Sequence, residues 1–264
     1  MNDLYADASL YDILYTPGTA AEVDLHERIA RRWVPASRRA WRWLEPACGS
    51  GRYLRVLGGR GHRVLGFDID PAMVAYARRG AKRRGLERRL RVAIASMEDF
   101  AHLAPPASID VAFVPVNTFR HLLDETAARR HLAQMARALQ PHGIYVVGIS
   151  LSRYEEEEPS EDVWKAARGR CSVRQIVQYL PADRRRRRET VYSHLQIRRP
   201  SKTETRDARY ELRAYDDKQW RRLLRAAGFT RLEVVDDRGQ AVGDREVGYQ
   251  LEVLRPTHAA GNRG

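Results

Sequence analysis

Short blocks of consecutive apolar residues alternate along this chain with longer segments whose apolar residues recur every three or four positions. Val23, Leu25, Ile29 and Trp33 fall near one face of a helix over 19–33. A strand is predicted over 42–46, a helix over 51–59 and a second strand over 63–68. Pro71 suits the first turn of a helix that runs to Arg79 and stops at Gly80. Strands follow at 91–95 and 109–114. Asp124 is placed to cap a helix over 124–139 that carries Leu132, Met135, Ala136 and Leu139 at helical spacing. Pro141-His142-Gly143 reads as a turn into a strand over 144–149. Strands alternating with helices in this way predict a parallel sheet covered on both faces.

From residue 151 the rhythm changes. An acidic run, Glu155 to Glu158, precedes three strand-like segments at 171–180, 190–199 and 204–214. The turn between the first two holds Asp183 and the run Arg184 to Arg188. These read as an antiparallel insertion over 151–212. The earlier pattern then returns. Asp216 to Ala227 carries Trp220, Leu223, Leu224 and Ala227 on one side, and Gly228 is its C-terminal cap. Segments 232–235 and 249–254 close the sheet as a hairpin, and the tail after Arg255 reads as frayed. The expected organisation is one unit from 1–150 and 213–264, with 151–212 as a cover for a second ligand or a dimer contact.

Composition bounds what such a chain does. Its 264 residues are 43% hydrophobic, enough for a sizeable core. No apolar run approaches the ~20 residues of a membrane span. The start, MNDLYADASLYD, has acids and no cationic opening, unlike a signal peptide. Cys48 and Cys171 lie in different segments, which suits a reducing, cytoplasmic compartment and offers no metal-ligand spacing. The net charge of +13 rests on arginine, since only Lys82, Lys165, Lys202 and Lys218 are lysines. That charge attracts nucleic acid or other anions, although so strong an arginine bias also arises from genome composition.

Residues 43–73 carry the chemistry. A short strand ends in Glu45, a turn of small residues follows from Ala47 to Gly51, then a helix, then a strand ending Gly66-Phe67-Asp68. A glycine turn after one strand and a carboxylate at the tip of the next admit a nucleoside close to the backbone and accept hydrogen bonds from ribose hydroxyls. The dinucleotide fingerprint needs a third glycine where this chain has Leu54, and no phosphate-binding G-x-x-x-x-G-K-[ST] is present.

Glu45-Pro46-Ala47-Cys48-Gly49-Ser50-Gly51 resembles instead the first motif of class I S-adenosylmethionine-dependent methyltransferases, with alanine for the first glycine. Gly66 to Met73 resembles the second motif, Ala95 to Phe100 the segment after strand 3, and Val116 to Leu122 the segment after strand 4. The resemblance implies an α/β, Rossmann-like, seven-stranded doubly wound sheet with a small antiparallel β insertion after strand 5. It implies S-adenosylmethionine as cofactor, with Asp68 on the ribose diol and Ser96, where relatives usually carry Asp, with Met97 at the adenine. The full set of cofactor contacts it implies is Tyr15, Glu45, Ala47, Cys48, Gly49, Gly51, Asp68, Ile69, Met73, Ser96, Met97, Val116 and Asn117. Tyr11-Asp12-Ile13-Leu14-Tyr15 is similar to an N-terminal element of glycine and amino-sugar N-methyltransferases, where such a segment covers the cofactor.

Methyl transfer from a sulfonium is an in-line displacement with a good leaving group, so it asks mainly for a positioned acceptor in a dry pocket. His121, just past strand 4, is the candidate base. Tyr192 and His194 either line an acceptor site or belong to a solvated sheet face. The run Arg184 to Arg188 either grips phosphates or forms an exposed turn. The expected activity is transfer of a methyl group to a nitrogen or oxygen of a small molecule by a monomer or homodimer. The alternatives are an RNA methyltransferase that uses the arginine-rich insertion and a non-catalytic cofactor- or nucleic-acid-binding module.

Overall fold

The structure is a computed structural model that describes residues 6–35, 40–242 and 248–257. The opening residues 1–5 of the start read above, and residues 258–264 of the tail, lie outside the described residues. The tail read as frayed after Arg255 is ordered where described, since Pro256 ends a strand and the Thr257 amide donates to the Gly228 carbonyl at 2.7 Å. Eleven strands and six α-helices are described: β1 (Arg42–Pro46), β2 (Arg63–Asp68), β3 (Leu90–Ile94), β4 (Ile109–Val114), β5 (Leu139–Ser150), β6 (Ser160–Arg168), β7 (Cys171–Tyr179), β8 (Arg188–Arg199), β9 (Lys202–Arg213), β10 (Phe229–Val235) and β11 (Tyr249–Pro256), with α1 (Ala8–Tyr15), α2 (Thr19–Trp33), α3 (Arg52–Gly59), α4 (Pro71–Lys82), α5 (Glu125–Ala138) and α6 (Asp217–Ala226).

Seven strands form one sheet in the order β10-β11-β5-β4-β1-β2-β3. The strands from β3 to β5 run parallel, and β11 pairs antiparallel with both β5 and β10. Every residue of β4 is buried, as a central parallel strand covered on both faces requires. Alternation divides the core in two. Trp43, Val111, Phe113 and Val146 pack with side chains of α2, α3 and α4 on one face. Leu44, Ala112, Val114, Tyr145 and Val147 pack with side chains of α5 and α6 on the other. Asp124 caps α5 by accepting from the Ala127 amide at 2.8 Å, as its position predicts.

Three boundaries depart from the sequence reading. Helix α4 continues through Gly80 to Lys82, and a Cβ at Gly80 would lie 3.3 Å from the Arg55 side chain. That glycine serves close packing, and the chain turns instead at Gly85, whose φ is +63°. Strand β5 begins at Leu139, so Pro141-His142-Gly143 lies within it at an irregularity in the register with β4. A Cβ on Gly143 would meet two carbonyl oxygens at 3.0 Å. Strand β6 had no period-2 signal because it is an outer, mostly exposed strand rich in charge.

Strands β6 to β9 form a second, antiparallel sheet in sequence order. On its inner face Val173, Leu195 and Ile197 bury Leu10, Ile13 and Leu14 of α1. Helix α1 is thus held between the second sheet and the core. The arginine-rich turn is paired with acids: Arg184 with Glu155 at 3.5 Å, Arg186 with Glu211 at 3.0 Å, and Arg187 with Glu125 at 3.1 Å. Both cysteines are free thiols, Cys48 buried and Cys171 half-buried at the start of β7. Among the described residues, no helix is long and apolar enough to cross a membrane.

Candidate active site

The turn after β1 is tight because its backbone leaves the ordinary regions three times: φ is +49° at Ala47, +52° at Gly49 and +73° at Gly51. The Cys48 amide donates to the Phe67 carbonyl at 2.9 Å, tying the turn to β2. Asp68, at the tip of β2, accepts from the Gly49 amide at 2.7 Å and from the Asp70 amide at 3.0 Å. Burial raises its pKa above the ordinary carboxylate value, and these two amides partly offset that. Leu54, in the place of the third dinucleotide glycine, packs onto Gly66, where a Cβ would lie 2.5 Å from its methyl group. The missing side chain has moved from helix to strand, and the close approach survives.

Alanine at position 47 carries a conformational cost that glycine would not. Ala47→Gly is expected to stabilise the fold by about 1 kcal/mol and raise the melting temperature by about 2 °C. Thermal unfolding checks this, and a lower melting temperature would count against strain at the turn.

Several features of the turn and its surroundings bear on the cofactor that the motif implies. Glu45 is buried, its Oε2 has no hydrogen-bond partner, and burial pushes its pKa well above the carboxylate range despite nearby Arg52. At the strand tips on either side, Ile69 is 70% exposed and Val116 50% exposed. An orphaned carboxylate oxygen, a second acid at a strand tip and two bare apolar side chains around a glycine turn fit the cationic, nucleoside-bearing cofactor implied by the motif. Tyr11 of α1 lies over the turn, so close that a Cβ on Gly49 would meet its ring at 3.1 Å.

Ser96 and Met97 follow β3. Their loop is held by α5: His131 Nδ1 donates to the Met97 carbonyl at 2.9 Å, and its Nε2 accepts from the Tyr145 hydroxyl at 2.7 Å. Burial lowers the His131 pKa to about 4, so the ring is neutral and has one N–H for this purpose. Gln134 accepts from the Phe100 and Ala101 amides at 2.7 and 2.6 Å and donates to the Glu98 carbonyl. Met73 is buried in α4.

After β4, Val116 and Asn117 both have left-handed backbones, with φ of +54° and +59°. For a β-branched residue this conformation is costly. It is over-determined here. The Val116 amide donates to the Tyr249 hydroxyl at 3.0 Å, and Asn117 Oδ1 accepts from the Ser150 amide at 2.7 Å. Gly148 is required beneath, since a side chain would collide with the Tyr249 hydroxyl.

A cavity of about 1020 Å³ opens between these strand tips, α2 and the second sheet. Tyr15, Val116 and Asn117 line it, whereas Glu45, Asp68, Ser96 and Met97 do not. His121 also lies outside the lining. Its ring stacks on Tyr210 of β9 with centroids 5.8 Å apart, and burial, with Arg120 beside it, lowers its pKa to about 4. Tyr192 is exposed while its neighbour Val191 is buried, and His194 Nδ1 is 2.6 Å from Asp207, which places both side chains on the outer face of the second sheet.

The cavity instead presents residues that carry no assigned role in the sequence reading: Glu22, His26, Arg52, Arg120, Glu189 and Tyr249. His26 is 3% exposed, its Nδ1 has no partner, and burial lowers its pKa to about 4. Arg52 is paired with Glu22 at 3.1 Å. Arg120, 2% exposed, donates to Glu189 at 2.7 Å and to the Arg213 carbonyl at 2.8 Å. The available signal was polar residues on an otherwise apolar helix face, as Glu22 and His26 sit beside Val23 and Ile29.

Residues 44–143 match the protein family described as a methyltransferase domain. Among curated proteins, the chain is similar to the S-adenosyl-L-methionine-dependent Diels-Alderase iccD of Talaromyces variabilis, at 34% identity over 143 residues, 50% of this chain and 46% of that protein. The chain therefore spans about half the length of this relative. Its fold is similar to that of an S-adenosylmethionine-dependent methyltransferase from Clostridium acetobutylicum, with a TM-score of 0.74 at 14% identity over 95% of this chain and 98% of the other. It is also similar to the sugar N-methyltransferase KedS8 from a Streptoalloteichus species, with a TM-score of 0.68 at 21% identity over 91% and 90% of the two chains.

Proposed function

We propose that this chain, which has the class I S-adenosylmethionine-dependent methyltransferase fold and a methyltransferase domain at residues 44–143, moves a methyl group from S-adenosylmethionine to a nitrogen or oxygen of a small molecule. The observation that carries this reading is the cavity of about 1020 Å³ that opens at the Val116-Asn117 segment and is lined also by Arg52, the residue that follows the glycine turn. It has room for an acceptor next to a nucleoside site.

Asp68 would hold the ribose hydroxyls, and Glu45 would meet the cationic amino-acid end. Ile69 and Met73, with Ser96 and Met97, would flank the base. Ala47, Cys48, Gly49 and Gly51 would provide the close backbone approach. Bound there, S-adenosylmethionine supplies an electrophilic methyl group on a sulfonium. The chain's own contribution is to hold an acceptor in line and exclude water, for which proximity alone can contribute ~7–11 kcal/mol. Tyr15, Val116 and Asn117 stand where the two ligands would meet. His121 would have to leave Tyr210 to act as a base, so its proposed catalytic role is secondary to positioning by the cavity wall.

A second reading is favoured by one observation. The relative iccD is named as S-adenosyl-L-methionine-dependent and as a Diels-Alderase, so a relative over half the chain is named for cyclisation. Incubating the purified protein with S-adenosylmethionine and a panel of amines, alcohols and polyenes separates the two. Release of S-adenosylhomocysteine with an acceptor that gains one methylene in mass supports transfer. An isomeric product with the cofactor intact supports cyclisation. A small molecule is preferred to RNA because Arg184, Arg186 and Arg187 already face carboxylates.

A further inference from the structure

The Tyr-Asp-x-x-Tyr element of α1 has an acid between its tyrosines, and the structure shows what that acid grips. Asp12 is almost wholly buried, with 6% of its side chain exposed. One oxygen accepts from the Ser50 hydroxyl of the glycine turn at 2.8 Å and from Arg55 of α3. The other accepts from the Tyr76 hydroxyl of α4 at 3.0 Å and from Arg168, at the end of β6, at 2.8 Å. Arg168 also donates to the Asp12 carbonyl at 3.1 Å. Burial alone would raise the Asp12 pKa, but Arg55, Ser50 and Arg168 together bring it below the ordinary carboxylate value.

The neighbours of Asp12 face both ligand regions. Tyr11 covers Gly49, while Tyr15 donates to Gln175 of β7 at 2.6 Å and meets the Trp164 ring of β6 edge-on. Strand β6 therefore carries Arg168 at one end and, four residues earlier, Trp164 in the cavity wall. We infer that Arg168 is a positioning residue for the cofactor site: acting through Asp12, it clasps α1 onto the glycine turn and ties the acceptor-side sheet to the place where the cofactor binds. This rests on the glycine turn being that place.

The test uses the full chain with Arg168→Ala, Arg168→Lys, Asp12→Asn and the double variant Asp12→Asn/Arg168→Ala. Arg168 is about half exposed, so its variants retain the fold, which melting temperatures verify. In the free protein, Arg168→Ala is expected to speed amide hydrogen exchange over residues 8–15. By calorimetry it should weaken S-adenosylhomocysteine binding by about tenfold, as loss of charge-assisted bonds to a buried partner implies. Arg168→Lys should recover most of that loss. The double variant should bind no worse than Asp12→Asn alone, since Arg168 works through Asp12. Unchanged exchange overturns the clasp. Faster exchange with unchanged affinity, or effects that multiply in the double variant, overturns the positioning role. If the unaltered protein fails to bind S-adenosylhomocysteine, the cofactor reading falls, and hydrogen exchange still decides the clasp.

Discussion

Asp68→Ala is expected to weaken S-adenosylhomocysteine binding by about 100-fold, a loss of nearly 3 kcal/mol. A hydrogen bond to a charged acceptor contributes roughly 1.5–3 kcal/mol, and a ribose diol offers two donors. Asp68 sits at the tip of β2 with each oxygen already accepting one backbone amide, so lone pairs remain for both hydroxyls. Asp68→Asn keeps an acceptor for the Gly49 amide and serves as the control for the shape of the turn. An affinity unchanged in Asp68→Ala would remove Asp68 from the site. The pH dependence has a definite sign. Burial raises the Asp68 pKa in the free protein, whereas ribose donors favour the charged carboxylate. Affinity should therefore hold at neutral pH and fall as the solution is acidified through the raised pKa.

Arg120→Met is expected to cost about 3–5 kcal/mol of stability, measured by denaturant unfolding, because it leaves a buried carboxylate without its partner. Arg120 extends from the short helical turn Thr118–His121 after β4 and meets Glu189 of β8 at 2.7 Å, so the pair fastens the second sheet to the core. The Arg213 carbonyl loses its donor as well. Arg120→Met/Glu189→Gln should be less damaging than Arg120→Met alone, since no buried charge is stranded. Burial already raises the Glu189 pKa, and the Arg120 charge opposes that shift. In Arg120→Met the pKa rises further, so the penalty is full at neutral pH and shrinks as falling pH protonates Glu189. A single variant as stable as the unaltered protein would show that the pair does not fasten the sheets.

Features held by neighbours in sequence were the legible ones. The glycine turn, Asp68 and the all-buried β4 declare themselves within a few residues, because small residues, a terminal acid and an unbroken apolar run each have a local cause. Gly80 misled for a related reason: glycine ends a helix when the backbone must turn, but here it makes room for Arg55 from another helix. The cavity wall was harder still. His26, Arg120, Glu189 and Tyr249 come from α2, the turn after β4, β8 and β11, and only the folded topology brings them together. His121 looked like a base because it follows β4, yet the Tyr210 ring from β9, distant in sequence, occupies its face. The arginine run reads as free charge until Glu125, Glu155 and Glu211 are placed against it.

The two thiols differ in a way that bears on how the molecule can be watched at work. Cys48 is a buried member of the glycine turn, and burial pushes its pKa far up, which leaves it little nucleophilic thiolate. Cys171 is half-buried and pairs across the β6–β7 hairpin with Arg168. The natural sequence therefore offers one addressable handle for a maleimide dye, next to the residue that grips Asp12. A dye there would sit at the start of β7, in the sheet that packs against α1, without any engineered cysteine.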